Sequence, residues 1–296
     1  MVNWPRCIYS SVIKPVPIKE LDEFHLRSSG TSYDFELIPE NNSYKIILKQ
    51  GPNSSMKVEI SKSYYAKIKD LYEIFQKPVV SQEDQQIFHR RLWCMLKRYN
   101  NIFDTECHVY QAALPVSVYK VLHSQFNVTV ECFASPLNCY FRNFCSLCPD
   151  TDSFFGSSGD FFGLNPVEGS FEANPPFSFG ILNAMVNHIE SLLKIATTNK
   201  KALSFIVFMP ECRHPIPFAQ LRMEASKFKT KQLIMPAHEH KYRSGLEYLE
   251  MNDKEKNVLL NCTHGTLVFF LQSPDGNRKW PPSNAKLDQL ITSFSE

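Results

Sequence analysis

Apolar and polar positions in the second half of the chain follow the periods of helices and strands. Residues 203–210 form a continuous apolar run bounded by lysines and a proline. Such a run suits a strand that is buried on both faces of a parallel sheet. Before it, apolar residues recur at helical spacing over four turns or more, at Ile181, Leu182, Met185, Ile189, Leu192, Leu193 and Ala196. The pattern predicts a long helix that leads into a buried parallel strand.

Shorter elements are predicted on either side of this pair. In the N-terminal part, strands are predicted over 33–38, 44–48 and 56–60 and helices over 64–75 and 85–99, after an extended lead-in over 1–30. Further strands are predicted over 110–114, 128–134, 232–235 and 266–272, and further helices over 115–126, 139–145 and 287–294. The last strand is expected to close the sheet. We therefore predict an α/β fold, with a mainly parallel sheet in residues 105–296 and a small α+β appendage in residues 1–104.

Composition narrows the classes of partner. The 296 residues are 43% hydrophobic and 13% aromatic, which is ample for a packed core, and the net charge is only +2. A balance near neutrality implies no strong field for polyanions, so a nucleic acid would have to be held by local basic groups. Arg90, Arg91, Lys97 and Arg98 give one predicted helix such a basic face. This face is either solvated or in contact with nucleic acid.

Neither a membrane nor a metal is expected as a partner. No apolar run reaches the ~18 residues of a membrane span, and no signal peptide opens the chain. Nine cysteines, an odd number without secretory signals, are typical of reduced thiols inside a cell. Cys145 and Cys148, with Cys139 nearby, have the spacing of a metal site, but no second such pair or histidine pair accompanies them.

The sequence Asn174-Pro175-Pro176-Phe177 is the strongest candidate for chemistry. The asparagine carbonyl and the backbone carbonyl of the first proline can both accept hydrogen bonds from one exocyclic NH₂ group. The prolines fix φ, and the aromatic ring offers a stacking face for the ring that carries the amine. Two acceptors on one amine would aim its lone pair at an electrophilic methyl group. The alternative is a proline turn after an edge strand.

Two other stretches could approach a ligand. The β-branched run over 128–134 ends in Ser135-Pro136-Leu137-Asn138, and no Gly-x-Gly-x-x-Gly follows it. The glycine cluster over 155–163 has a backbone that could lie close to a ligand, or it is a flexible surface loop.

Several ordered blocks within roughly residues 90–285 resemble the cap-specific adenosine methyltransferase family, also called the phosphorylated-CTD-interacting-factor WW-domain group. The blocks lie at 131–138, 145–152, 155–157, 169–177, 203–213, 222–224, 236–240, 242–245, 267–272 and 279–282. The resemblance implies a Rossmann-like class I methyltransferase sheet. It also implies methyl transfer from S-adenosylmethionine to N6 of the adenosine next to a messenger RNA cap, without a metal or a covalent intermediate.

The resemblance implies roles for particular residues. Asn174 and Pro175 become acceptors for the amine, with Pro176 holding the loop, and Phe177 becomes the platform under adenine. The candidates for the methyl-donor pocket are Glu131, Phe133, Ala134, Ser135, Pro136, Asn138, Gly156, Ser157 and Gly159. The sulfonium is itself the activated leaving group, so the protein supplies orientation and electrostatics.

Recognition of the cap is assigned to charged residues that follow two strands. Arg213 and Arg243 could meet the triphosphate bridge as charge-assisted donors, with His238 beside them. Glu211 or Glu239 could pair with a positively charged methylguanine. The alternative is that these residues form ordinary salt bridges in loops.

The chain departs from the better-known members of the family in one respect. Its three tryptophans, at 4, 93 and 280, are too dispersed for a WW module, so contact with the polymerase II tail through this chain is not expected. Two rival functions stay open: an N-methyltransferase with another acceptor (DNA adenine or protein glutamine), and a cap-binding module without turnover. A nuclear location rests on the resemblance alone, and the cytoplasm stays open.

Overall fold

The computed structural model describes residues 34–49, 55–102, 112–212, 216–245, 247–249 and 259–295. The predicted lead-in over 1–30 and the first two residues of the predicted strand 110–114 therefore lie outside the described residues. Of the remaining three residues, Ala113 forms an isolated bridge with Arg243. The structure has an α/β fold around a six-stranded, mostly parallel sheet, as predicted, and a three-stranded sheet precedes it.

The N-terminal elements match their predictions closely. Strands β1 Asp34–Pro39, β2 Ser43–Lys49 and β3 Ser55–Ser61 form an antiparallel meander in the order β1-β2-β3. Helices α1 Lys62–Phe75 and α2 Gln82–Ile102 follow. The Ser61 side chain accepts a hydrogen bond from the Tyr64 backbone N–H, so a serine at the N-cap starts α1.

The elements that follow build the large sheet and its flanks. The helices are α3 Val116–Phe126, the single turn α4 Pro149–Asp152, α5 Phe179–Thr198, α6 Phe218–Ala225, α7 Pro274–Lys279 and α8 Asn284–Ser293. The strands are β4 Val130–Ala134, β5 Asn143–Ser146, β6 Gly169–Ala173, β7 Leu203–Pro210, β8 Lys229–Met235, β9 Lys241–Arg243, β10 Leu259–Asn261 and β11 Thr266–Gln272. Single 3₁₀ turns lie at Ser153–Phe155, Phe161–Gly163 and Glu247–Leu249.

The large sheet has the strand order β5-β4-β6-β7-β11-β8. Strands β5, β4, β6 and β7 are parallel neighbours, whereas β11 runs antiparallel to both β7 and β8. The prediction that residues 266–272 close the sheet is therefore wrong. Their strand lies in the interior, where all seven residues are buried.

The predicted helix over 139–145 is also wrong. The structure places β5 at Asn143–Ser146 and a turn before it. The Glu131 carboxylate accepts hydrogen bonds from the backbone N–H groups of Tyr140 (2.8 Å) and Phe141 (2.7 Å). Because these groups are bound by a side chain, they do not enter a helical ladder, and the segment turns back to pair with β4.

The central strand β7 is buried on both faces, as its apolar run predicts. Phe205, Val207 and Met209 belong to the same core cluster as Leu182 and Met185 of α5. Ile206 and Phe208 pack on the other face with residues of α3 and α8. The sheet is thus covered on both sides, and its strand ends are the exposed edges at which a site can form.

The N-terminal unit, which comprises β1 to β3 with α1 and α2, shares a hydrophobic core with the side of the large sheet that carries β5. Phe144 and Phe155 lie in one cluster with Tyr72 of α1 and Phe88 of α2. The basic face of α2 contributes to this contact. Arg98 forms an ion pair with Asp150 at 2.6 Å, and the Arg91 guanidinium lies 3.7 Å from the centre of the Phe154 ring. Two of the four basic residues that were candidates for nucleic-acid contact, Arg91 and Arg98, therefore pack against the rest of the chain.

Candidate active site

The segment Asn174-Pro175-Pro176-Phe177 lies at the carboxyl end of β6, between this strand and α5. Both neighbours of β6, the strands β4 and β7, run parallel to it and end at the same edge of the sheet. The Ser178 backbone N–H donates to the Pro176 carbonyl at 2.7 Å, which tightens the turn into α5. The motif therefore lies at the carboxyl edge of the parallel strands, where ligands bind in open α/β sheets.

The Asn174 side chain is held in one orientation. Its Nδ2 donates to the backbone carbonyl of Ala112 at 3.0 Å. A carbonyl can only accept, so this bond fixes which end of the amide is the nitrogen. The Oδ1 atom is thereby left as the acceptor that a ligand can meet.

Asn174 separates two cavities. A larger one of about 130 Å³ lies over the ends of β4, β5 and β6, and a smaller one of about 20 Å³ lies beside the ends of β6 and β7. Asn174, Pro176 and Ala112 line both. A group bound in one cavity is therefore next to a group bound in the other.

The larger cavity contains four of the residues predicted for the methyl-donor pocket: Phe133, Ala134, Ser135 and Asn138. Asn138 Oδ1 accepts from the Ser135 backbone N–H at 2.7 Å, so the turn after β4 is fixed by its own side chain. Aromatic rings that the prediction missed complete the wall, those of Tyr99, Phe161 and Phe162, together with the Asp160 carboxylate.

The other predicted donor-pocket residues do not line this cavity. Glu131 is 1% exposed and its carboxylate is bound to backbone N–H groups, as described above. The Pro136 carbonyl accepts from the Cys139 thiol. Gly156 has a φ of 104°, and a Cβ there would overlap the Phe75 ring, so this glycine allows α1 to pack closely.

Ser157 and Gly159 are hydrogen-bonded to Ser146, a residue that lines the larger cavity. The hydroxyl groups of Ser157 and Ser146 lie 2.7 Å apart, and Ser146 lines the cavity. The Gly159 carbonyl accepts from the Ser146 backbone N–H at 2.9 Å. Their roles as direct contacts stay predictions, and the structure gives them a part in holding the end of β5.

Tyr99 reaches the larger cavity from the N-terminal unit because Asp152 holds it. The Tyr99 hydroxyl donates to Asp152 Oδ2 at 2.6 Å, and Thr151 Oγ1 donates to Oδ1 at 3.1 Å. Both side chains are buried. Burial raises the pKa of Asp152 from 3.8 to about 7, in spite of these hydrogen bonds.

This pKa predicts how stability depends on pH. Between about pH 4 and pH 7 the folded state keeps a proton on Asp152 that the unfolded chain has lost, so raising the pH favours unfolding. Asp152→Asn should make the decline in the free energy of unfolding shallower, by at most about 1.4 kcal/mol per pH unit. Chemical denaturation at several pH values measures the slopes. Equal slopes in the two proteins would rule out Asp152 as the titrating group.

The smaller cavity joins the motif to distant segments. Phe177 and Pro175 line one side, and Tyr242, Cys262, His264 and Thr266 line the other, with Pro210 at the end of β7. The predicted site residues did not include Tyr242, Cys262, His264 or Thr266. The glycine at 265, directly before a long apolar run, was the available signal of a turn at the site edge.

Hydrogen bonds beneath the smaller cavity have determined directions. His240 Nδ1 lies 2.8 Å from the Pro236 carbonyl, so Nδ1 carries the hydrogen. Burial lowers the pKa of His240, which keeps the imidazole neutral with an unprotonated Nε2. Thr266 Oγ1 lies 2.7 Å from Nε2 and therefore donates to it. The Tyr242 hydroxyl, 3.2 Å from Oγ1, then donates to Thr266.

These directions leave several acceptors facing the smaller cavity. The Asn174 amide nitrogen donates to the Ala112 carbonyl. The Thr266 hydroxyl donates to His240, and the Tyr242 hydroxyl donates to Thr266. Oxygen lone pairs remain on all three side chains. The arrangement suits a ligand group that only donates, such as an amine, better than one that only accepts.

Glu172 lies on the strand directly before the motif and is 0% exposed. Neither of its carboxyl oxygens has a hydrogen-bond partner in the part of the chain that the structure describes. Its neighbour across the sheet is Glu131. Burial, together with the Glu131 carboxyl, raises the pKa of Glu172 well above its ordinary value, which favours the protonated form.

The residues predicted to contact the cap are only partly brought together. Glu211 directly follows Pro210 of the smaller cavity, and its backbone N–H donates to the Gly265 carbonyl at 2.6 Å. The backbone N–H of His238 donates to the Cys262 carbonyl at 2.7 Å, and Glu239 is exposed beside it. Glu211 and His238 thus border the turn that carries His264, and Glu239 follows His238 in the chain. Arg213 lies outside the described residues.

Arg243 has a structural role. Its guanidinium donates to the Glu247 carboxylate at 2.6 Å and to the Tyr64 hydroxyl at 3.0 Å. The hydrogen bond to Tyr64 ties β9 to α1 of the N-terminal unit, and the ion pair with Glu247 ties β9 to the 3₁₀ turn Glu247–Leu249. A contact between Arg243 and RNA phosphate stays a prediction, and it would compete with this ion pair.

Within the described ranges, no three histidine, cysteine or acidic side chains are grouped so that they could hold a metal ion. None of the helices described here is both long and apolar enough to cross a membrane.

Comparison with known proteins places this site in a family. The family model described as "Phosphorylated CTD interacting factor 1 WW domain" matches residues 67–245. This range includes the segment Asn174-Pro175-Pro176-Phe177. The chain is 43% identical over 242 residues to the mouse protein named mRNA (2'-O-methyladenosine-N(6)-)-methyltransferase and 42% identical over 242 residues to the human protein of that name. Each match covers 81% of this chain and 33% of the relative, so the chain spans about a third of the length of these relatives.

Proposed function

The chain belongs to the family described as the phosphorylated CTD interacting factor 1 WW domain, and from this premise we propose that it is an mRNA adenosine N6-methyltransferase. The proposed reaction transfers a methyl group from S-adenosylmethionine to N6 of the adenosine next to the cap. The names of the mouse and human relatives specify 2'-O-methyladenosine in mRNA as their substrate. We extend this substrate class to the present chain.

The observation that carries the proposal is the position of Asn174 between two cavities. One cavity suits a methyl donor, and the other presents the oxygen atoms of Asn174, Thr266 and Tyr242. An adenine amine has two hydrogens to donate and no acceptor, so it matches such a set of oxygens. A carbonyl at the same position, as in guanine or hypoxanthine, would face acceptors only.

We also propose that the large sheet is a Rossmann-like class I methyltransferase sheet. Its four parallel neighbours, the single antiparallel strand β11 and the cavity over the carboxyl ends of β4, β5 and β6 support this assignment. The N-terminal unit adds Tyr99 to the cavity, which a sheet alone would not supply.

The residues of the larger cavity fit S-adenosylmethionine. Phe133, Phe161 and Phe162 offer apolar faces to an adenine ring, and Ser135, Asn138 and Asp160 offer polar atoms to a ribose or an amino acid. When bound, the methyl donor supplies an electrophilic carbon on a sulfonium, which needs no activation by the protein. The protein's own task is to place the acceptor amine.

The motif performs this task by orientation. Asn174 Oδ1 and the Pro175 backbone carbonyl would each accept one hydrogen of the amine, which leaves the nitrogen lone pair pointing toward the larger cavity. Two oxygen dipoles near the nitrogen also stabilise the positive charge that develops there during transfer. The Phe177 ring lies beside them in the same cavity and would stack on the base.

Cap recognition is proposed for the border of the smaller cavity. Glu211 and His238 border the turn that carries His264, and Glu239 follows His238 in the chain, so a nucleotide that precedes the target base would meet them. Arg213 and Arg243 stay as predicted phosphate contacts. A nuclear location is part of the proposal and rests on the nature of the substrate.

Incubation with labelled S-adenosylmethionine tests the function. Purified protein is mixed with capped RNA that begins with 2'-O-methyladenosine, with the same RNA beginning with guanosine, or with RNA that lacks a cap. We expect label in the first RNA, at N6, and little in the others. Label in the protein instead, or cap binding without transfer, would support one of the two rival functions and overturn this one.

Replacement of Phe177 separates stacking from packing. If the ring stacks on the base, Phe177→Ala should weaken binding of capped RNA by ~1–3 kcal/mol, whereas Phe177→Tyr and Phe177→Trp should be milder. RNA affinity and thermal melting are measured on all four proteins. A large loss of melting temperature in Phe177→Ala, with Phe177→Trp at least as harmful, would show that the ring is a core residue.

A further inference from the structure

We propose that Thr266 and His240 together accept the proton that the substrate amine loses on methylation. This inference rests on the proposed function, because it concerns the amine bound in the smaller cavity. It assigns a catalytic contact to Thr266 and a proton store to His240, neither of which belongs to the Asn-Pro-Pro-Phe motif.

The geometry provides a two-step path from the cavity to a base. Thr266 lines the smaller cavity together with Asn174, and its Oγ1 lies 2.7 Å from His240 Nε2. His240 is 1% exposed, and its Nδ1 hydrogen is bound to the Pro236 carbonyl at 2.8 Å. Because that hydrogen is fixed, the basic lone pair of the imidazole lies on Nε2 and points along the Thr266 hydroxyl toward the cavity.

The transfer balances in atoms and charge. The amine nitrogen forms a bond to the methyl carbon, the carbon–sulfur bond breaks, and its electron pair stays on sulfur. The positive charge is then on nitrogen. Methylation makes the nitrogen tetrahedral, which turns one of its two hydrogens away from the Asn174 or Pro175 oxygen and toward Thr266 Oγ1. That hydrogen leaves as a proton for Thr266 Oγ1 while the hydroxyl proton of Thr266 moves to His240 Nε2. His240 becomes an imidazolium that still donates to Pro236, and the reverse transfers to water reset the pair after the product leaves.

Other groups near the cavity are poorer proton acceptors. The Asn174 and Pro175 oxygens belong to amides, which are very weak bases. Glu172 does not line the cavity, and burial raises the pKa of both Glu172 and the Cys262 thiol, which favours their protonated forms. His264 is the remaining rival, since it lines the cavity and lies with Nδ1 3.0 Å from Thr263 Oγ1.

His240 is preferred over His264 because its tautomer is determined. A threonine hydroxyl beside His264 Nδ1 can donate or accept, so that contact fixes no proton position. A carbonyl beside His240 Nδ1 can only accept. Around His240, the titratable groups are Glu239 on the preceding residue, Tyr242 two residues further on, and Cys262, whose backbone N–H donates to the His240 carbonyl. The ring of Phe294, directly after α8, has its centre 5.8 Å from that of His240.

The tautomer can be measured without substrate. In protein labelled with ¹⁵N-histidine, His240 is expected to show a protonated Nδ1 and an unprotonated, hydrogen-bonded Nε2 at neutral pH, with His240→Asn used for assignment. In Thr266→Val the Nε2 resonance should shift because its donor is gone. A protonated Nε2 in the wild-type protein would overturn the proposal, whatever the activity.

Kinetics then tests the transfer itself. Single-turnover methylation of capped RNA is measured at saturating methyl donor for Thr266→Val, which keeps the side-chain shape, and for Thr266→Ser, which restores the hydroxyl. We expect Thr266→Val to slow transfer by about 10²-fold or more and Thr266→Ser to recover most of the rate. RNA affinity should change little in either, because the expected effect is on the chemical step.

A matched control and a rival variant complete the design. Thr230→Val removes a hydroxyl that donates to Gln272 in the same sheet, outside both cavities, and is expected to keep the wild-type rate. A slow Thr230→Val would show that loss of any threonine hydroxyl in the sheet suffices. If His264→Asn slows methyl transfer while Thr266→Val keeps the wild-type rate, His264 is the proton acceptor and the proposal is wrong. If wild-type protein transfers no methyl group to any RNA, the proposed function fails instead, and the ¹⁵N measurement still decides the tautomer.

Discussion

Asn174→Ala is expected to lower the single-turnover rate of methyl transfer by about 10²–10³-fold, the range observed when one oriented dipole at a reacting centre is removed. The substitution deletes an oxygen that a hydrogen bond to the Ala112 carbonyl holds in place. Alanine neither fixes the amine nor stabilises the charge that develops on it. Rapid-quench assays with labelled methyl donor measure the rate.

Binding of the methyl donor should survive this change. Calorimetry should give a dissociation constant close to that of the wild type, since the aromatic wall of the larger cavity is untouched. Asn165→Ala is the matched control, because Asn165 Nδ2 also donates to a backbone carbonyl, that of Gly163, but lies in an exposed loop. A wild-type rate for Asn174→Ala would show that the centre of the reaction lies elsewhere.

Phe155→Ala is expected to lower the free energy of unfolding by about 3–5 kcal/mol, as for other large aromatic residues in a core. The ring is fully buried where the N-terminal unit meets the large sheet, with the Tyr72 ring centre 5.9 Å away. Because residues on both sides share this cluster, the whole chain should lose stability in one transition. Denaturant unfolding followed by fluorescence and by circular dichroism measures both points.

The neighbouring phenylalanine is the control for that experiment. Phe154 is only half-buried and packs against the Arg91 guanidinium, so Phe154→Ala should cost about 1 kcal/mol or less. If Phe155→Ala instead produces two separate transitions, the N-terminal unit and the sheet are independent domains. In that case the predicted boundary near residue 104 is a true one.

Periodicity predicted elements well where each element carries its own signal. The α5 stripe and the β7 run are long and strongly patterned, and both were located within about two residues. β5 was missed because it has only four residues, and because Glu131, nine to ten positions earlier in the chain, turns the segment by binding its backbone. No local pattern reports such a bond.

The sequence predicted the site residues that are adjacent in the chain and missed those that come from distant segments. Asn174 and Phe177 are neighbours in the chain, and one motif reveals both. Tyr99, Tyr242 and His264 come from three separate segments, and each has an ordinary context in the sequence. Their convergence depends on strand order, above all on β11 lying beside β7, and a single sequence does not state which distant strands pair.

The interior position of β11 also bears on how the protein is made. Among the described strands of the six-stranded sheet, β8 pairs with β11 alone, and β11 follows both of its partners, β7 and β8, in the chain. Until residues 266–272 emerge, β7 has an unpaired edge, and the turn that carries His264 and Thr266 has no strand to anchor it. The nascent chain therefore exposes an aggregation-prone strand edge from the time that β7 emerges until β11 follows it. A stop codon between residues 211 and 265 would release a chain in which that edge of β7 is still open.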